Sequence, residues 1–73
     1  MDRATLKQHL ALAEEHVAKS QEHITRQQEL VAELECHGHT RVAEKAKRLL
    51  AQFLELDVLH VAHRDRLKQQ LDS

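Results

Sequence analysis

The sequence predicts an all-α protein, an antiparallel helical hairpin of two long helices that pairs with a second copy as a homodimeric four-helix bundle. Gly38 is the only glycine among 73 residues, and the chain has no proline. Apolar residues recur at heptad spacing on both sides of this glycine. Alanine, leucine, glutamate, lysine, arginine and glutamine dominate, which is the composition of coiled coils and long helices.

The turn at Gly38 sets the domain organisation. Glycine readily takes the left-handed conformation that ends a helix. Thr40 is suited to cap the next helix, because its hydroxyl can accept a hydrogen bond from a free backbone N–H. We therefore expect a single helical-hairpin domain over residues 1–73, with a helix at about 3–36, a turn at about 37–40 and a helix at about 41–71.

The first helix carries a heptad seam. It starts at Asp2 or at Thr5, where a short capping-box pattern begins. Its apolar residues recur every seven positions for about four heptads, as in a packed helix pair. The seam consists of Leu10, Val17, Ile24 and Val31, with Leu6, Ala13, Ser20, Gln27 and Leu34 between them.

The second helix has a wider apolar surface than one partner helix can cover. Over residues 53–62 its apolar side chains point in several directions, and a helix of this kind is usually buried on several faces. A lone hairpin cannot bury them all, so we expect a homodimer with two-fold symmetry. The predicted core and dimer residues are Leu10, Val17, Ile24, Val31, Leu50, Phe53, Leu54, Val58 and Val61.

A polar layer interrupts the stripe of the second helix. Asp57, His60 and Arg64 are three and four residues apart, so they can contact one another along the helix. Ser20 should lie across from Asp57 in an antiparallel hairpin. Polar residues at seam positions cost stability but can fix register and oligomeric state. We expect this layer to be mostly buried and hydrogen-bonded.

Seven histidines suggest metal binding or pH sensing. His60 and His63 are three residues apart, a spacing that can chelate a metal. The candidate set for such a site is His16, Asp57, His60 and His63. However, the Glu-x-x-His signature of di-iron bundles does not occur in the sequence. We therefore expect no bound metal and no cofactor, and a structural role for the layer.

Composition excludes several other classes of protein. The formal net charge is −1, and basic and acidic residues alternate, so we expect no nucleic-acid binding. The apolar runs are too short for a membrane span. The first residues lack the apolar core of a signal peptide. The single cysteine, Cys36, fits a reducing cytoplasm, and its place near a helix C-terminus disfavours a nucleophilic thiolate.

Residues 23–34 resemble a family of short hypothetical proteins of unknown function from α-proteobacteria. The resemblance continues through the turn to residue 67. It is carried by Gly38-His39, Ala46, Leu49-Leu50, Phe53, His60 and Arg64-Asp65-Arg66-Leu67. The resemblance implies a helical hairpin and no particular activity.

These observations favour a non-enzymatic protein–protein interaction or dimerisation module in the cytoplasm. Its partners would be a second copy of itself and another protein of unknown identity. The alternative is a histidine-based metal-binding or pH-sensing protein. No catalytic-triad motif, phosphate-binding loop or paired-carboxylate motif can be read from the sequence, so an enzyme built in the bundle core is the weakest of the three hypotheses.

Overall fold

The computed structural model describes residues 2–73 as two α-helices, α1 (Arg3–Cys36) and α2 (Thr40–Asp72), with no strand in that range. The helices pack along their length as an antiparallel hairpin that measures 53 × 14 × 14 Å. The prediction of an all-helical hairpin is therefore confirmed. Within residues 2–73, no helix combines the length and the hydrophobicity that crossing a membrane requires.

Helix α1 begins after Asp2, the first of the two predicted starts. The Asp2 backbone is extended, and its Oδ1 accepts a hydrogen bond of 2.7 Å from the Thr5 N–H. This bond satisfies one of the free N–H groups of the first turn. It also lowers the pKa of the Asp2 carboxyl from its ordinary value of 3.8. The alternative start at Thr5 is wrong, because Thr5 already lies in the first helical turn.

The turn between the helices depends on Gly38. Its φ of 74° lies in the left-handed region. The Gly38 N–H donates to the Glu35 carbonyl at 3.1 Å, and the His39 N–H donates to the Leu34 carbonyl at 2.9 Å. Together these bonds form a Schellman motif, which satisfies carbonyls that the end of α1 would otherwise leave free.

Thr40 does not cap α2, contrary to the sequence-based prediction. It is the first residue of the helix, the cap position belongs to His39, and no side chain caps this end. The Thr40 N–H donates instead to the Gly38 carbonyl at 3.0 Å, while the Ala43 N–H donates to the His39 carbonyl at 2.9 Å. The Schellman turn thus brings the chain into helical geometry one residue earlier than expected.

The core is a thin line along the seam. In the described range, six apolar residues are buried, and three of them are alanines; they are Ala13, Val17, Val31, Ala43, Ala46 and Leu67. Among residues 2–73, no side chain is less than 2% exposed. Because burial of apolar area drives folding in proportion to that area, two helices alone supply little stabilisation.

The predicted core and dimer residues occupy three environments. Val17 and Val31 are buried. Leu54 and Val58 are exposed on the single hairpin. The others are half-buried along the seam; they are Leu10, Ile24, Leu50, Phe53 and Val61.

Polar contacts join the helices near both ends of the rod. At the open end, Arg3 Nη1 donates to the Leu71 carbonyl at 3.1 Å. Near the turn, Lys47 Nζ lies 2.9 Å from a carboxylate oxygen of Glu35 and 3.4 Å from one of Glu44. The hydrogen bond to Glu35 is the largest of the effects that raise the pKa of Lys47 above 10.5. All of these side chains are exposed, so the pairs contribute little to stability.

Candidate interaction surface

Two pairs of rings show how the helices are aligned. The ring centroids of His16 and His60 lie 5.8 Å apart. Those of His23 and Phe53 lie 6.0 Å apart. Each pair takes one residue from each helix, and each is consistent with antiparallel pairing about the turn. His16 of α1 therefore lies beside His60 of α2.

The four residues of the predicted polar layer lie along the seam, but they do not form a hydrogen-bonded network. Ser20, Asp57, His60 and Arg64 are all half-buried. Asp57 Oδ1 is buried and has no hydrogen-bond partner among residues 2–73. The expectation of a mostly buried and hydrogen-bonded layer is therefore wrong for Asp57 Oδ1.

Arg64 explains part of this discrepancy. Its Nε donates to Asp65 Oδ1 at 3.2 Å, and its Nη2 lies 3.1 Å from the same oxygen. Asp65 is exposed and adjacent in sequence, so the guanidinium pairs with it at the surface and keeps its charge near water. A charge held at the surface in this way does not compensate the carboxylate of Asp57.

The seam also contains a polar residue that sequence analysis did not place in the layer. Gln27 is only 8% exposed. Its Nε2 donates to the Ala46 carbonyl at 2.9 Å, which links α1 directly to the α2 backbone. The signal for it was its seam position between Ile24 and Val31, two apolar heptad residues. Heptad spacing indicates that Gln27 is buried, but it does not indicate which group accepts the hydrogen bond from its side-chain amide.

A depression open to solvent lies beside the two ring pairs, with a volume of about 260 Å³. Both helices contribute to its lining, whose surface is mostly apolar and includes the imidazole rings of three histidines. The lining residues are His16, Lys19, Ser20, His23, Phe53, Leu56 and His60.

The candidate metal ligands do not converge. Of the four candidates, only His16 and His60 form a ring pair, and His63 is exposed. Near the turn, the rings of His37 and His39 lie 6.4 Å apart beside the exposed Cys36. No group of three or more His, Cys, Asp or Glu side chains within residues 2–73 is arranged to hold a metal ion.

The heptad register gives the hairpin two broad faces, one on each side of the seam. The histidine face contains the depression and the residues that flank it along both helices. Its large apolar side chains and its histidines are Leu12, Leu30, Val42, Leu49, Leu56, Leu59, His9, His16, His23 and His63. The opposite face contains the Glu35–Lys47 ion pair, together with Leu54, Val58 and Val61.

Comparison with known proteins gives no match among protein-family models, curated proteins or solved structures. The resemblance to short α-proteobacterial hypothetical proteins therefore stays a prediction.

Proposed function

We propose that this protein is a non-enzymatic interaction module that works as a homodimer, with two hairpins forming a four-helix bundle. The exposed apolar surface of α2 over residues 53–62 carries this proposal. Leu54, Leu56, Val58 and Leu59 are 45%, 50%, 67% and 65% exposed on the single hairpin. These side chains lie on both sides of the seam, and exposed apolar surface of this extent usually marks an interaction site.

The total accessible surface supports the same proposal. The hairpin exposes 5554 Å², whereas a compact monomer of its 8.5 kDa mass exposes about 4,650 Å² by the usual scaling of surface with mass. The excess is about 900 Å². Each partner in a standard protein interface buries roughly 800 Å². One dimer interface of ordinary size would therefore give the chain the compactness that a single hairpin lacks.

In the assembled dimer, the outward surfaces would contact a second protein. They carry charges of both signs, such as Glu15 paired with Lys19 at 3.3 Å. Charged surfaces guide the rate and specificity of association more than its strength. The exposed thiol of Cys36 suits a reducing compartment, so we propose that the module acts in the cytoplasm.

Light scattering of the purified protein at micromolar concentration tests the dimer. We expect twice the chain mass of 8.5 kDa, and a stable, well-folded monomer would overturn the proposal. Ile24→Asp and Phe53→Asp should dissociate and largely unfold the protein, because an unpaired buried charge costs several kcal/mol. Glu55→Gln changes an exposed side chain of the same helix and should leave the mass unchanged.

A second candidate function is pH sensing, favoured by the His16–His60 ring pair at 5.8 Å. Histidine as a residue type changes charge between about pH 5 and 8. Two protonated imidazoles this close repel each other, and Lys19 and His23 line the same depression. The carboxylate of Asp57, on the same face of α2 as His60, would attract a positive charge on these rings and so offset part of the repulsion. Since no group of three ligands converges in residues 2–73, pH sensing is the form of the histidine hypothesis that we retain.

Melting curves at pH 5 and pH 8 test this second candidate. We expect wild type to melt lower at pH 5 and His16→Gln to lose much of that difference. His9→Gln removes an exposed histidine outside the ring pair and is the matched control. Equal pH dependence in wild type and His16→Gln would exclude the ring pair as the sensor.

A further inference from the structure

We propose that two copies of the chain meet through the histidine face and not through the opposite face. This inference rests on the proposed dimer and specifies its interface. A hairpin of two helices has two broad faces, and a four-helix bundle made by stacking two hairpins buries one of them from each copy. In a two-fold dimer the same face is buried on both copies.

The distribution of exposed apolar side chains favours the histidine face. Eight large apolar side chains are exposed among residues 2–73. Six of them flank the seam on the histidine side and two on the other. The six are Leu12, Leu30, Val42, Leu49, Leu56 and Leu59.

The shape of the surface points the same way. The depression of about 260 Å³ opens on the histidine face. In helix bundles, side chains of one helix insert into holes formed by residues of the facing helix. An unfilled hole forfeits the packing contacts of the atoms that line it. A second copy placed on this face would fill the hole with its own exposed leucines.

The charges on the two faces also differ. The opposite face carries the Glu35–Lys47 ion pair, at 2.9 Å, between the two helices. Burying such a pair costs desolvation that its attraction seldom repays. On the histidine face, the exposed Lys19 lines the depression and is already paired along α1 with the exposed Glu15 at 3.3 Å. Long basic side chains at an edge can cover apolar surface and keep their charge in water.

Adjacent residues of α2 provide a matched test. Leu56 and Leu59 lie on the histidine face with exposures of 50% and 65%, and Leu54 and Val58 lie on the opposite face with exposures of 45% and 67%. The double variants Leu56→Glu/Leu59→Glu and Leu54→Glu/Val58→Glu therefore add the same charge to the same helix at nearly equal exposure. Mass is measured by light scattering, and helicity by circular dichroism.

We expect the first double variant to have half the wild-type mass and the second to keep the wild-type mass. The reverse pattern would overturn the inference and assign the dimer to the opposite face. Retention of the dimer by both variants would also overturn it. A wild-type protein that is itself monomeric would instead reject the proposed dimer, so the two failures are distinguishable.

Cysteine labelling keeps the inference testable if a charged variant does not fold. In a Cys36→Ser background, Leu59→Cys and Val58→Cys place one thiol on each face at neighbouring positions. Because the native side chains are almost equally exposed on the single hairpin, a monomer would label both at similar rates. We expect N-ethylmaleimide to react several-fold more slowly at position 59 than at 58 in the dimer. Equal rates, or slower labelling at 58, would contradict the inference.

Discussion

The side-chain amide of Gln27 in α1 donates a hydrogen bond of 2.9 Å to the backbone carbonyl of Ala46 in α2. This is a buried polar contact between the two helices. Ala46 lies inside α2, so its carbonyl also accepts the regular helical bond from residue 50. The carbonyl therefore does not depend on Gln27, whereas the Gln27 amide depends on the carbonyl.

Replacing Gln27 tests this asymmetry. Gln27→Leu keeps the side chain's approximate volume and removes its polar group, so we expect the free energy of unfolding to stay the same or to rise. Gln27→Ala removes the hydrogen bond and leaves a gap, and should lower that free energy by at least about 1 kcal/mol. Denaturant unfolding measures both. Gln28→Leu, at an exposed neighbouring position, is the control, and a loss of stability in Gln27→Leu would contradict the interpretation.

Asp57 is a buried polar residue whose replacement by an apolar one should stabilise the fold. Its Oδ1 is buried and has no hydrogen-bond partner in the part of the chain that the structure describes, and an unsatisfied buried polar atom costs about 1–3 kcal/mol. Asp57→Leu should therefore stabilise the fold by an amount within that range, measured as a shift of the denaturant midpoint at constant slope. Glu55→Leu changes an exposed carboxylate two residues away and should give no such gain. Destabilisation of Asp57→Leu would show that the carboxylate finds a partner in the assembled protein.

Substitution of Gly38 should destabilise the protein because of the backbone conformation at this position, and not because a side chain would lack space. A Cβ at this position would meet no atom within 4 Å, but φ is +74°. An L-residue in the left-handed region costs roughly 1–2 kcal/mol, so Gly38→Ala should lower the free energy of unfolding by about that amount. Asparagine tolerates this region better than alanine, and Gly38→Asn should lose less. If the two variants were equally stable, left-handed strain would not be the cause.

The cap at Asp2 predicts a dependence on acid. The hydrogen bond from the Thr5 backbone lowers the pKa of the Asp2 carboxyl in the folded protein below 3.8. Its contribution to stability is therefore complete above that ordinary value and is lost as the pH falls through the folded pKa. Thermal melting between pH 2 and pH 7 should show a smaller acid-induced loss in Asp2→Asn than in wild type.

Asp2→Asn suits this test because asparagine caps helices about as well as aspartate, so the variant should match wild type near neutral pH. Asp72→Asn, in the last turn of α2 at the same end of the hairpin, is the control for a general loss of negative charge. An unchanged acid profile in Asp2→Asn would contradict the role of the Asp2 carboxylate.

The helices and the turn could be predicted because their signals are local. One glycine, no proline and a sustained heptad repeat leave few alternatives for the chain. The prediction of a cap at Thr40 was wrong because the Schellman bonds of Gly38 and His39 already determine the geometry of the following residue. Two backbone hydrogen bonds that fix these dihedral angles outweigh the energetic preference of threonine for a cap position.

The partners of the polar residues could not be predicted in the same way. Heptad spacing placed Gln27 and Arg64 at the seam, but it did not choose between acceptors. Arg64 reaches the adjacent Asp65 because its long side chain can extend toward solvent. Gln27 is shorter and finds only the facing backbone. Side-chain length and the nearest free acceptor decide these contacts, and neither appears in a periodic pattern.

The hydrogen bond between Arg3 and the Leu71 carbonyl brings the first and last turns of the hairpin together. The chain thus enters and leaves the rod at one end, while Gly38 lies at the other end of its 53 Å length. A hairpin of this geometry can be grafted into a surface loop of a carrier protein through two closely spaced junctions. The two loop ends of the carrier protein would not need to move apart to accept the insertion. The hairpin would extend from the carrier surface, with its turn exposed to solvent.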